Sequence, residues 1–181
     1  QGFLSARGQP RGLRHAGAAA APLVLRALDD ETCAGLLRHA YALGLDTLVE
    51  AHTQEELDRA TALDAPVVGI NARDLGTFRI DRTMQLDLVA RAVGDRIVIA
   101  ESAIHTRAQA AGAELAGASA VLVGAALMKA ADPGAKPREL PARPRVTVCG
   151  LARQGAVGAA GGPGSGAPGL SRAPAAPGRG T

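Results

Sequence analysis

Short apolar runs, each ending in a polar residue or a glycine and then giving way to a helical pattern, constrain this chain more than anything else in it. Glu50 closes Thr47-Leu48-Val49, and Asn71 follows Val67-Val68-Gly69-Ile70. Glu101-Ser102 closes Ile97-Val98-Ile99-Ala100, and Gly124 follows Val121-Leu122-Val123. A repeated strand-then-helix order builds a parallel sheet, because parallel neighbours need a crossover long enough to bring the chain back to the starting edge. The carboxyl ends of the strands then share one rim, and side chains stationed there are aimed at a ligand.

Between the runs, helix signals recur. Asp29-Asp30 caps a helix expected over about Glu31–Leu43, with Gly44 as its stop, and Thr53-Gln54-Glu55-Glu56 reads as a capping box in which Thr53 and Glu56 satisfy each other's end. Asp81 and Thr106 cap two further helices, and Gly117 stops the second. Asn71 to Arg79 is a polar loop with Gly76 as its hinge. Counting Leu23-Val24-Leu25 as a first strand gives five strands and four to five helices between residues 22 and 140. Residues 1–21 show no convincing period and read as an irregular lead-in. Arg145-Val146-Thr147-Val148 is a candidate for one more strand, so residues 141–160 are a possible start of a second unit. Residues 161–181, rich in Gly and Pro without an acid, read as a disordered tail.

The core must be aliphatic: 47% of the 181 residues are apolar but only 2% are aromatic, which suits buried parallel strands. That length fits one domain and falls short of the roughly 250 residues of a full (β/α)8 barrel. All 17 acids lie in residues 22–139 beside 12 of the 20 basic residues, so the folded part is acidic and the basic excess belongs to the ends. Scattered arginines without interleaved aromatics argue against a nucleic-acid partner. Two distant cysteines, Cys33 and Cys149, fit a reducing cytoplasm rather than a disulfide framework. No apolar run approaches the ~18 residues of a membrane span, so no membrane partner is expected. Three arginines before Ala16–Leu25 loosely mimic a signal peptide, but Pro22 and Arg26 break the pattern. A start at Gln1 rather than Met points to a fragment.

Glu50, Asn71, Arg73, Glu101 and Ser102 are the candidate site. At one mouth they supply two carboxylates, an amide and a guanidinium: a general base or amine holder, and a fork for a substrate carboxylate. Taken singly, Glu50 and Asp74 read equally well as solvated loop residues and Arg73 as a surface ion pair. The small-residue turns Ser102-Ala103-Ile104 and Gly124-Ala125-Ala126 offer backbone N–H groups to a phosphate, or else simply allow tight packing. His39 and His52 read as surface residues and His105 as a loop residue; no pair has metal-ligand spacing, so neither a metal nor another cofactor is expected.

The strings Leu48-Val49-Glu50-Ala51-His52, Gly69-Ile70-Asn71-Ala72-Arg73-Asp74-Leu75, Glu101-Ser102-Ala103-Ile104-His105 and Leu122-Val123-Gly124 through Leu127-Met128 closely resemble indole-3-glycerol phosphate synthase, over about Leu23 to Leu140. The resemblance implies a partial TIM (β/α)8 barrel, about strands five to eight, and a carboxy-lyase of tryptophan biosynthesis. Such an enzyme closes the ring of 1-(2-carboxyphenylamino)-1-deoxyribulose 5-phosphate with loss of carbon dioxide and water. It implies Glu50 as general base, Asn71 as the amide that orients substrate, Arg73, Glu101 and Ser102 at the substrate, and Ala103, Gly124 and Ala125 around its phosphate. The family usually carries Gly where Ala103 stands and a serine near Ala125-Ala126. Its general-acid lysine lies on a first-half strand, whereas this chain's lysines are Lys129 and Lys136. The alternative expectation is therefore an inactive half-barrel that associates, through strand edges left open at Leu23–Arg26 and Ala120–Val123, with a complementary half or with itself. From Pro144, Arg145 to Arg153 is similar to the opening strand of phosphoribosylanthranilate isomerase, which implies an isomerase-like base at Cys149.

Overall fold

The computed structural model describes residues 4–6, 8–132, 140 and 145–148. Its element order is α1 (Gln9–His15), β1 (Ala20–Val24), a 3-10 turn (Leu25–Ala27), α2 (Asp30–Ala42), β2 (Asp46–Ala51), α3 (Gln54–Ala62), β3 (Val67–Asn71), α4 (Arg82–Ala92), β4 (Ile97–Glu101), α5 (Arg107–Leu115), β5 (Ala120–Val123), α6 (Ala125–Met128) and β6 (Arg145–Val148). All the strands are parallel and stand in chain order, β1 to β6, in one sheet. Parallel strands in sequential order with a helix on each return are the arrangement of a barrel rather than of a sheet that reverses its order at a switch point. The fold is that of a partial (β/α)8 barrel.

Strand alternation sorts the side chains into two layers. Val49 and Ala51, Val68 and Ile70, Val98 and Ala100, and Val121 and Val123 join the main core, with Leu36, Leu37, Leu57, Leu88, Val89 and Ala110 of the helices. The other parity puts Leu48, Ile99 and Ala120 into a smaller cluster, flanked by half-buried Val67, Ile97 and Leu122. Glu50, Gly69, Asn71 and Glu101 have this second parity, so they stand on the same face as the small cluster, nearer the carboxyl ends of their strands.

Helix starts follow the sequence closely. Asp29, Asp81 and Thr106 accept from Thr32, Met84 and Gln109 N–H groups, and Gln109 closes a full capping box with Thr106. The capping box expected at Thr53 forms only in one direction. Thr53 Oγ1 accepts from Glu56 N, but the Glu56 carboxylate accepts from His52 N at 2.6 Å, one residue before the cap. His52, expected at the surface, is 3% exposed as a result. Three further expectations change. The supposedly irregular lead-in contains α1, whose Pro10 occupies the first turn, where a missing N–H costs nothing. Leu25 leaves the strand for the 3-10 turn. In the β3–α4 loop the left-handed residue is Phe78 (φ 57°), not Gly76.

The sheet runs one strand beyond β5, and β1 takes one hydrogen bond on its outer side. β6 pairs with β5 from Ala120 through Val123, and Leu4 N donates to Pro22 O on the outer side of β1 at 2.8 Å. Of the two edges expected to be open, Ala120–Val123 is paired by β6, whereas the contact on β1 falls at Pro22, one residue before Leu23–Arg26. Among the described residues no helix is long and apolar enough to cross a membrane. Cys149, Lys136 and the Gly/Pro-rich tail lie outside the described residues.

Candidate active site

The register of β2, β3 and β4 makes a site out of one missing side chain. Glu50 stands opposite Gly69, which stands opposite Ile99; one pleat further on, Asn71 stands opposite Glu101. Glycine leaves a hole between Glu50 and Ile99, and the Glu101 side chain folds back into it. A methyl on Gly69 would collide with Glu101 Oε1 and lie 2.9 Å from its Cδ. Gly69 is therefore required by close approach, not by a turn.

Glu101 is only 3% exposed, and its Oε1 has no hydrogen-bond partner among the described residues. Burial pushes its carboxyl well above the ordinary range, and the neighbouring Glu50 charge pushes it further. Glu50 is half-buried; burial raises its carboxyl too, opposed by a hydrogen bond from Asn71 and by the charge of His52. Two adjacent carboxyls in unequal environments separate into one that keeps its proton and one that ionises more readily. Here burial is deeper at Glu101, which is pushed up further than Glu50.

Asn71 is the link between the two sides of the mouth. Its Nδ2 donates to Glu50 Oε2 at 3.4 Å and its Oδ1 accepts from Arg73 N at 3.0 Å, so the amide is fixed at both ends. Arg73 and Ser102 then line a cavity of about 250 Å³ together with Ala103, Ile104, Gly124 and Ala125. The walls of this cavity are the turns after β4 and β5, built of small residues. Ser102 and Ala103 both adopt left-handed backbone, φ 66° and 54°, which turns the chain sharply and costs an alanine roughly 1–2 kcal/mol. A glycine in place of Ala103 would adopt that conformation without the penalty.

Two residues of α4 hold this region and were not picked out as site residues. Gln85 is fully buried and donates from Nε2 to the carbonyls of Ile70 and Glu101, at 2.8 and 2.6 Å, tying β3 to β4 where both reach the rim. Arg82 donates to Gln85 Oε1, to Ala103 O and to Gln109 O, bracing the strained turn from behind. A signal for Gln85 does exist in the sequence. It falls in the apolar register of α4 with Leu88, Val89 and Ala92, where a polar side chain has to find buried partners.

The five residues of the candidate site are thus brought together, but in two subsets. Glu50, Asn71 and Glu101 form a carboxylate–amide group over β2–β4; Arg73 and Ser102 belong to the cavity over β4–β5. His105 also lines the cavity and is exposed, while His39 is half-buried on α2 and away from it. Among the described residues no group of His, Cys, Asp and Glu has the spacing to hold a metal.

Comparison with known proteins narrows what this rim is. The sequence profile of the family described as "Indole-3-glycerol phosphate synthase" matches residues 2–140. An indole-3-glycerol phosphate synthase of Opitutus terrae is 45% identical over 130 residues, covering 72% of this chain and 49% of that protein. The chain therefore spans about half the length of this curated relative. Among solved structures, thiamine phosphate pyrophosphorylase from Pyrococcus furiosus aligns with a TM-score of 0.61 at 14% identity, over 87% of this chain and 74% of that one. A putative phosphonomutase from Burkholderia cenocepacia aligns with a TM-score of 0.57 at 15% identity, over 81% and 74%. At such identities these two speak for the fold alone.

Proposed function

The chain belongs to the indole-3-glycerol phosphate synthase family, and from that premise we propose that its rim is the C-terminal half of the site of a carbon–carbon lyase of tryptophan biosynthesis. The substrate of this reading is 1-(2-carboxyphenylamino)-1-deoxyribulose 5-phosphate, and the reaction is ring closure with loss of carbon dioxide and water. The observation that carries it is the pairing of Glu50, Asn71 and Glu101 on one face of the sheet beside a cavity walled by Ser102, Ala103, Gly124 and Ala125.

The two subsets divide the work. Glu50, held by Asn71, takes the proton that must leave during ring closure and dehydration. Glu101, kept protonated by burial, donates a hydrogen bond to substrate oxygen rather than repelling the carboxylate of the aryl ring. Arg73 faces that carboxylate, since a guanidinium matches it bidentately. Ser102 and the backbone N–H groups of Ala103, Gly124 and Ala125 hold the phosphate, as in barrels where anions sit beside the last two strands.

Ring closure also needs a general acid. Lys129 closes α6, and no lysine lies on a strand among the described residues. Turnover on this reading requires a lysine-bearing half-barrel beside β1. The test is formation of indole-3-glycerol phosphate by the 181-residue chain alone and mixed with the lysine-bearing half of a homologous synthase. Expected are background rates alone and turnover in the mixture, lost by 10²–10⁴-fold in Glu50→Gln. Robust turnover by the chain alone would overturn the need for a partner. A mixture that associates without turning over would favour an inactive, purely associating half-barrel.

A further inference from the structure

The cavity over β4 and β5 is lined by one polar side chain that the proposed reaction does not use. Among the described residues around it, only Arg73, Ser102 and His105 carry polar side chains. Arg73 is assigned to the aryl carboxylate and Ser102 to the phosphate, which leaves His105. The backbone of His105 is held from both sides. Ile104 before it is buried in the main core, and the N–H of His105 donates to Gln109 Oε1 at 2.7 Å. Gln109 Oε1 also accepts from Thr106 N at 3.1 Å, while Gln109 N donates to Thr106 Oγ1 at 3.3 Å. These N–H groups at the start of α5 are consumed by the helix's own cap, so an anion in the cavity does not gain them. What this wall offers instead is the imidazole, which is exposed and lines the cavity from a fixed backbone.

We propose that His105 is a phosphate-binding residue, whose ring donates a hydrogen bond to the anion held in this cavity. The inference rests on the cavity being the phosphate end of the site. The facing turn supplies no such donor from its side chains, because Gly124, Ala125 and Ala126 have none to give. A phosphate monoester presents three terminal oxygens, all strong acceptors, and each one taken from water without a donor weakens binding. Ser102 brings one hydroxyl, and His105 adds a second side-chain donor from the same turn. An imidazole carries at least one N–H in either charge state, so the contact does not depend on the ring being protonated. With its backbone pinned, only side-chain torsions have to settle when the ring meets the anion, which keeps the ordering cost small.

The test is titration of inorganic phosphate into the full chain, uniformly labelled with nitrogen-15, with the His105 ring signals assigned through His105→Asn. Expected is movement of those ring signals that saturates together with the amide signals of Ser102 and Gly124. The ring of His15, exposed in the last turn of α1, should stay still. In His105→Ala, phosphate binding should weaken about tenfold or more, the worth of one hydrogen bond to a charged group, with the amide fingerprint preserved. If that variant does not fold, the ring signals of the parent chain decide. A His105 ring that ignores phosphate, or moves only as His15 does, overturns the proposal, and so does a His105→Ala that binds as tightly as the parent. The amides of Ser102 and Gly124 would still respond in that case, and the phosphate reading of the cavity would survive. Were those amides silent as well, the cavity reading would fall and the proposal with it.

Discussion

The two sides of the rim are built in different ways. Over β2 to β4 the work falls to side chains: Glu50, Asn71 and Glu101 interlock because Gly69 gives up its own side chain. Over β4 and β5 it falls to backbone, with Ser102 and Ala103 turned left-handed, Gly124 opening the next turn, and few polar side chains in the wall. The first side manages protons through burial and neighbouring charge; the second offers undirected N–H groups and room. Arg73, tied to Asn71 by its own N–H yet lining the cavity, joins them. On the proposed reading, a substrate with a reacting, ionisable end and a phosphate end would use both.

The comparison breaks most sharply at Gly69. In Gly69→Ala the methyl and the Glu101 carboxyl compete for one space, and overpacking of this kind costs about 1–3 kcal/mol. Urea unfolding should show that loss, and most of it should return in the double variant Gly69→Ala with Glu101→Ala. Glu101→Gln separates charge from shape. In the parent chain the unfolded state ionises near 4.5, as a solvated glutamate does, while the folded state keeps the proton to higher pH. The unfolded state then binds fewer protons, so this group lowers stability as pH rises through that window. The variant should flatten that fall, visible as a smaller difference between melting curves at pH 5 and pH 8.

Smaller effects belong to the backbone side. Arg82→Ala removes donors to Ala103 O and Gln109 O, and should cost about 1 kcal/mol and weaken inorganic phosphate binding measured by chemical-shift titration. It should leave the Glu101 titration in place, since Gln85 alone reaches the β3 and β4 carbonyls. Ala103→Gly relieves a left-handed alanine at the cost of added chain entropy, a net gain of roughly 0.5–1 kcal/mol. Phosphate binding should tighten or hold; a stability loss would mean that the turn is not strained.

The same contrast explains what was legible in the sequence. Strands, caps and the sheet order were readable because aliphatic runs, Asp29, Asp81, Thr106 and the glycine stops act locally, and parallel topology follows from their alternation. Glu50, Asn71 and Glu101 were readable because each ends a strand. Glu101's buried position was not, because it depends on Gly69 of the adjacent strand, a contact made only once the register is set. His52 was misplaced at the surface for a similar reason. The Glu56 carboxylate had two N–H groups within reach, and it took His52 rather than Thr53 once Arg26 from the end of β1 was alongside. Helix α1 was hidden by a Gly/Ala/Arg composition without a clear apolar stripe, yet Pro10 at its start was the local clue.

The central claim is that Glu50 and Glu101, from strands two apart, lie beside one another on one face of the sheet near the carboxyl ends of its strands. Titrating the Glu101 carboxyl by carbon-13 NMR in the parent chain and in Glu50→Gln tests it most directly. The account predicts that Glu101 holds its proton well beyond the ordinary glutamate range, and that its midpoint falls when the Glu50 charge is removed. A Glu101 that ionises like a solvated glutamate, indifferent to Glu50, would contradict it.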